Sequence, residues 1–104
     1  MNDKELLELA AKAAGYTLED HYDHDQYYPW CTETDAFWNP LLDDGDALRL
    51  MVNFGMDILF YGYKQIIAVV TYRATTAEPY SFDMKASTRR AIVKASAEIG
   101  KEMK

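Results

Sequence analysis

The stretch Trp38-Asn39-Pro40-Leu41-Leu42-Asp43-Asp44-Gly45-Asp46-Ala47-Leu48-Arg49-Leu50 decides how this chain is divided. Asn39-Pro40 marks a turn, because proline drives the residue before it out of helical space. The aspartates that follow can accept hydrogen bonds from the free amides of a first helical turn, and they suit the positive end of the helix dipole. The spacing predicts a helix that starts near Asp43 or Asp44, buries Ala47, Leu50, Met51 and Phe54, and closes at Gly55. Asp43-Asp44-Gly45-Asp46 also has the look of a calcium loop. That chemistry needs spaced oxygen ligands and a closing bidentate glutamate, and the next acid is Asp57, across the helix. Capping accounts for these aspartates better.

Working outward, an earlier helix is expected from Asn2, its cap, to Gly15, its end. Glu5 stands three residues after the cap, and Leu6, Leu9, Ala10, Ala13 and Ala14 form one apolar stripe. Tyr16 and Leu18 alternate like the start of a strand, and His21 to Gln26 reads as a polar turn. Tyr27, Tyr28, Trp30 and Cys31 suggest a second strand, held to an edge by Pro29, after which Phe37 and Trp38 return to the core. On the far side of the quoted stretch, residues 56–61 and 65–73 read as a hairpin. Ile66 to Val70 is its interior strand, apolar on both faces. Residues 74–83 read as a polar loop containing Pro79. A last helix runs from a cap at Asp83 to about Glu102. Its inner stripe is Ile92, Ala95, Ile99 and Met103, and Lys94 pairs with Glu98 outside. The order is α-β-β-α-β-β-α. The expected fold is a single α+β domain over residues 1–104: an antiparallel sheet of three to four strands with about three helices on one face.

A chain of 104 residues, 49% of them apolar, can build one core without disulfides or a metal. Its single cysteine, Cys31, forms no internal bridge, which fits a reducing compartment, here the cytoplasm. No apolar run approaches the roughly 20 residues that span a bilayer. Asp3, Lys4, Glu5 and Glu8 do not read as a signal peptide. The net charge is −6, unevenly spread. No lysine or arginine lies between Lys12 and Arg49, while that stretch carries Glu19, Asp20, Asp23, Asp25, Glu33, Asp35, Asp43, Asp44 and Asp46. The segment from Met84 onward is mainly basic. A nucleic-acid duplex would be repelled by the acidic half, and a basic protein surface attracted to it.

The chemistry-bearing candidates are few. His21 and His24, with Asp20, Asp23 and Asp25, make the best metal candidate. On a strand, however, residues three apart point to opposite faces, so the two imidazoles converge only in a turn or on a helix. The plainer reading is an exposed polar loop. Ser81, Ser87 and Ser96 lack any nucleophile context, Cys31 lacks a base, and the five glycines form no phosphate loop. Arg89-Arg90 reads as a solvated pair that offsets the acidic surface. Neither a catalytic residue nor a cofactor is expected. The strongest interaction candidate is the aromatic and acidic segment around Asp20, Asp23, Asp25, Tyr27, Tyr28, Trp30, Glu33 and Asp35. Tyrosine and tryptophan anchor protein interfaces, and closely spaced carboxylates imitate nucleic-acid phosphates. Its plainer reading is that these rings complete the core.

Three blocks carry a family resemblance: the opening helix Lys4 to Gly15, the block Trp38 to Leu50, and Arg89-Arg90-Ala91-Ile92-Val93-Lys94-Ala95-Ser96-Ala97-Glu98-Ile99-Gly100. Over about half its length the chain resembles a family of small proteins carried by tailed phages and prophages. The resemblance brings no catalytic residue with it. It implies that variation, and so partner choice, falls in residues 16–37 and 56–82. It also implies an accessory protein in the host bacterial cell that binds a host or phage protein with a basic surface, including a defence or nucleic-acid-binding complex. Direct nucleic-acid or membrane binding is not expected. Two alternatives stay open: a metal-binding protein or metal-dependent enzyme built on the His21/His24 cluster, and a structural homo-oligomer.

Overall fold

The computed structural model describes residues 1–62, 64–71, 75–79 and 83–103. Helix α1 spans Asp3–Ala14; Asn2 caps it by accepting from the Glu5 amide at 2.8 Å, and Gly15 ends it at φ +79°, a conformation that costs glycine little. Five two-residue strands follow: β1 (Leu18–Glu19), β2 (Tyr22–Asp23), β3 (Gln26–Tyr27), β4 (Trp30–Cys31) and β5 (Ala36–Phe37). Helix α2 spans Asp44–Asn53, and β6 (Asp57–Tyr61), β7 (Ile66–Val70) and β8 (Thr75–Pro79) lead to α3, Met84–Glu102.

The α+β class and the helix-bracketed order hold. The strands divide into a hairpin β2–β3, a small sheet β1–β4–β5 and a larger antiparallel sheet β6–β7–β8. The expected polar loop at 74–83 is corrected in part: Thr75–Pro79 pairs with β7 from Val70↔Thr75 to Ile66↔Pro79. Its sequence, Thr-Thr-Ala-Glu-Pro, is poor in bulky residues, and its place in the ladder comes from the apolar strand beside it. The rest of that loop lies in part outside the described residues. The strand expected to continue to residue 73 ends at Val70.

Helix α3 is the centre of the molecule. Sequence periodicity gives it one apolar stripe, but the structure buries it nearly all round: Ala91, Ile92, Val93, Ala95, Ser96, Ala97, Ile99 and Gly100. Helix α1 lies along one side, α2 along another, and the sheet β6–β7–β8 covers a third. Small side chains let these neighbours approach closely. The Ser96 hydroxyl stays satisfied by donating to the Ile92 carbonyl at 2.9 Å. Leu7, Leu50, Ile67, Val69 and Val93 are fully buried, each worth about 1.5–3 kcal/mol. Met103, expected inside, is 37% exposed; its carbonyl accepts from Lys12 Nζ at 2.7 Å, tying the end of α3 to α1. Lys94 bonds to Glu78 of β8 at 2.8 Å, not to Glu98, which pairs instead with Lys101 at 3.0 Å.

The Trp38 to Leu50 block is a structural clamp. Trp38 is 2% exposed and meets the Tyr16 ring edge-on at 5.7 Å. Asn39 is buried: its Nδ2 donates to the Tyr27 carbonyl at 2.8 Å, and its Oδ1 accepts from the Leu41 amide at 3.0 Å. Its own amide donates to Asp46 Oδ2 at 2.9 Å. Asp43 caps α2, accepting from the Asp46 amide at 2.8 Å. Arg89 fastens the block to α3 through the Leu41 carbonyl at 2.9 Å and Asp44 at 2.7 Å.

Burial holds the Asp46 carboxyl above the usual aspartate range; the Asn39 amide and Arg49 pull it down, and Asp43 pushes it up. A carboxyl whose pKa is higher in the folded state stabilises the fold at low pH, and that contribution is lost as pH rises through the folded value. Asp46→Asn keeps the shape and the acceptor for Asn39 without the buried charge. Its melting temperature is therefore expected to match the parent near pH 3, below the ordinary aspartate value of about 3.9, and to exceed it at neutral pH. Equal melting-temperature differences at both pH values would show that ionisation of Asp46 plays no part.

Candidate functional site

Residues 18–37 build an exposed surface from hairpins too short to bury both faces. The β2–β3 hairpin pairs Asp23 with Gln26, which leaves His24 and Asp25 as its two loop residues. Both have positive φ, +48° and +68°. A tight hairpin needs this geometry, and aspartate tolerates it better than most residues. The turn joining β4 to β5 brings Asp35 to φ +52°. Both turns therefore push carboxylates outward.

Phe37 is the centre of the aromatic side. It is 45% exposed, and the rings of His21, Trp30 and Tyr28 stand around it at 4.6, 5.1 and 5.9 Å. Tyr28 and Trp30 approach it nearly edge-on, the arrangement aromatic quadrupoles favour. His21, Asp23, Tyr28 and Phe37 line an open recess of about 450 Å³. Phe37 was expected in the core with Trp38, and the structure corrects this. Neighbouring residues leave an extended chain in opposite directions, so Trp38 goes in and Phe37 comes out. That alternation was the signal in the sequence for the residue it missed.

The acids do not all behave alike. Asp20 accepts from Lys4 Nζ at 3.1 Å and from the Tyr27 hydroxyl at 3.0 Å; these bonds lower its pKa. Glu33 is a staple. It accepts from the Thr17 amide at 2.6 Å and the Thr17 hydroxyl at 2.9 Å, and these bonds lower its pKa. Among the described residues, Glu19, Asp25 and Asp35 have no ion-pair partner, and Asp23 faces only His24 at 3.6 Å. Among the described residues the acids of 18–37 other than Asp20 and Glu33 therefore lack a lysine or arginine partner, whereas Arg89, Arg90 and Lys94 of α3 are engaged, with Asp44, Asp3 and Glu78.

Of the residues singled out from sequence, Tyr28, Trp30 and Asp23 lie beside Phe37, and Asp25 and Asp35 are exposed in the β2–β3 and β4–β5 turns. Tyr27 is corrected to the core: it is 8% exposed, and burial with its bond to Asp20 raises the phenol's pKa. Asp20 and Glu33 lie at the surface but hold the framework. His21 packs on Phe37, while the His24 side chain is 97% exposed at the hairpin tip. Cys31 is buried, its Sγ 3.8 Å from Glu33. Among the described residues, no three histidine, cysteine or acidic side chains group as a metal site, and no helix is long and apolar enough to cross a membrane. No family model, curated protein or solved structure matches the chain.

Proposed function

We propose that the chain is a small, acidic, non-enzymatic accessory protein of a phage or prophage, acting in the host bacterial cytoplasm by binding a basic surface on a host or phage protein. One observation carries this reading: a solvent-exposed ring cluster centred on Phe37 and bordered by Asp23, with Asp25 and Asp35 exposed in the two turns of the same segment, none of the three having a lysine or arginine partner among the described residues. Aromatic anchors supply most of the energy of a protein interface; uncompensated charge around them steers a partner and selects its sign. Where that partner is a defence or nucleic-acid-binding complex, occupying its basic surface would exclude the nucleic acid.

Capture from host lysate tests it. At low salt the parent protein is expected to retain a partner that moderate salt releases, because exposed charges attract over about 10 Å at 0.1 M salt and less above it. Phe37→Ala is expected to weaken binding at least tenfold, about 1.4 kcal/mol, as loss of an interface anchor does. Asp23→Asn, Asp25→Asn and Asp35→Asn together should slow association and flatten its salt dependence. No partner at low salt, or binding indifferent to Phe37, would end the reading.

A further inference from the structure

The recess beside Phe37 is built by strand register. In the β2–β3 hairpin Tyr22 stands opposite Tyr27, and the ladder runs one step further, where the Tyr28 amide donates to the His21 carbonyl at 2.9 Å. Residues two apart on a strand share a face. His21, Asp23 and Tyr28 therefore lie on one side of the hairpin, and the Tyr22 and Tyr27 rings meet on the other, at 5.4 Å. In the small sheet Glu19 stands opposite Trp30, and Trp30 opposite Phe37, so these three form one row across a face. Leu18, Cys31 and Ala36 form the opposite row, with Cys31 buried.

Two kinds of group meet there. The rings of His21, Tyr28 and Phe37 wall the recess, and Trp30 packs on Phe37 from the sheet. Carboxylates border them. Asp23 lines the recess and meets only His24, through one oxygen at 3.6 Å. Glu19 ends the ring row and has no ion-pair partner among the described residues. Helix α2 adds more negative charge from behind: burial, and then Asp43 and Asp46, hold the Tyr28 phenol above its ordinary range. Flat ring faces under a negative potential favour a cation over an anion or a plain apolar group.

We propose that this recess takes one arginine side chain of the partner, its guanidinium plane against the Phe37 and Tyr28 rings and its N–H groups on the Asp23 carboxylate. The inference rests on the reading of the chain as a binder of basic protein surfaces, and names the residue type that anchors the contact. A guanidinium is planar and more weakly hydrated than an ammonium. It can lie flat on a ring while two of its N–H groups reach a carboxylate. Lysine brings the same charge, but as a compact, strongly hydrated point with no plane to stack. The open volume of about 450 Å³ admits the guanidinium together with part of its methylene stem. Glu19 and the acids of α2 attract either cation; the rings with Asp23 tell them apart.

NMR titration of the isotope-labelled full chain decides the matter. The probes are two acetylated and amidated peptides, Gly-Arg-Gly and Gly-Lys-Gly, of equal charge. The arginine peptide is expected to shift the ring resonances of Phe37 and Tyr28, and to bind about threefold to fivefold more tightly than the lysine peptide, the margin of a stacked guanidinium at an exposed site. Asp23→Asn should weaken the arginine peptide at least threefold. Phe37→Leu keeps an apolar side chain but no ring, and should bring the two peptides to equal affinity. Equal affinities for the parent, a preference that survives Phe37→Leu, or the lack of any saturable shift at these rings would overturn the proposal. The peptides test the site without the partner, so the two ideas fail separately. A lysate partner held through Phe37 beside indifferent peptides removes the arginine site alone. Selective peptides beside an empty capture remove the accessory-protein reading and leave the arginine site standing.

Discussion

Replacing Gly100 with alanine is expected to cost about 3 kcal/mol of folding stability, the top of the usual range for overpacking a core, and leucine at that position should prevent folding. The reason is backbone against backbone. A Cβ placed on Gly100 would overlap the Leu9 carbonyl oxygen and would sit 2.8 Å from its carbon. A flexible side chain could turn aside, but a carbonyl inside α1 cannot move without shifting the helix. Helices α1 and α3 would have to separate along their length, exposing Leu6, Leu7, Ala10 and Ala11. Urea denaturation checks this, with Gly62→Ala as control, since a Cβ on Gly62 meets nothing within 4 Å. A Gly100→Ala midpoint equal to the parent's would show that the two helices are not locked together as described.

Asn39→Ala should cost a similar amount, about 3 kcal/mol, because each buried polar group left unpaired costs about 1–3 kcal/mol. The substitution leaves the Tyr27 carbonyl without the Asn39 donor and the Leu41 amide without its acceptor. Those two bonds join the segment before Pro40 to the turn that starts α2, so their loss should also loosen the surface around Phe37. Two-dimensional NMR would show it as exchange broadening confined to residues 18–46 at temperatures where α3 stays folded. Asn39→Asp separates the two roles: it keeps an acceptor for Leu41 but turns a second oxygen toward the Tyr27 carbonyl. It is therefore expected to fall between the parent and Asn39→Ala at low pH, and to be worse than either at neutral pH. A fully stable Asn39→Ala protein would remove the clamp from the account.

The helices were legible in the sequence because each carries its own local chemistry. Asn2, Asp43 and Asp83 cap the three starts as expected, and Gly15 closes the first. The hairpin β6–β7 was legible for the same reason, an apolar β-branched run beside a turn. Strand β8 was not, because its pairing is dictated by β7 and leaves little mark in Thr-Thr-Ala-Glu-Pro. The all-round burial of α3 was hidden in its small residues. Alanine, serine and glycine read as neutral on a helical wheel, yet here they are the points of closest approach. In the segment before Trp38, composition pointed to a surface of rings and acids. Which ring anchors it was obscured because Tyr27 and Phe37 each sit beside another aromatic, and only backbone alternation separates inside from outside. Lys94 found Glu78 instead of Glu98 because a cross-element partner was nearer than the one on its own helix.

The position of α3 has a consequence for how the protein comes into being. The element that α1, α2 and the sheet β6–β7–β8 pack against is translated after all of them. While the ribosome is still adding residues 84–103, the apolar face of α1 and the inner side of β7 lack the helix they close upon. The nascent chain must carry that surface unburied until α3 emerges from the exit tunnel, and then close around it. Arrested chains that end before Ala91 should therefore be cleaved by protease throughout, and those extended past Met103 by a linker long enough to clear the tunnel should be resistant.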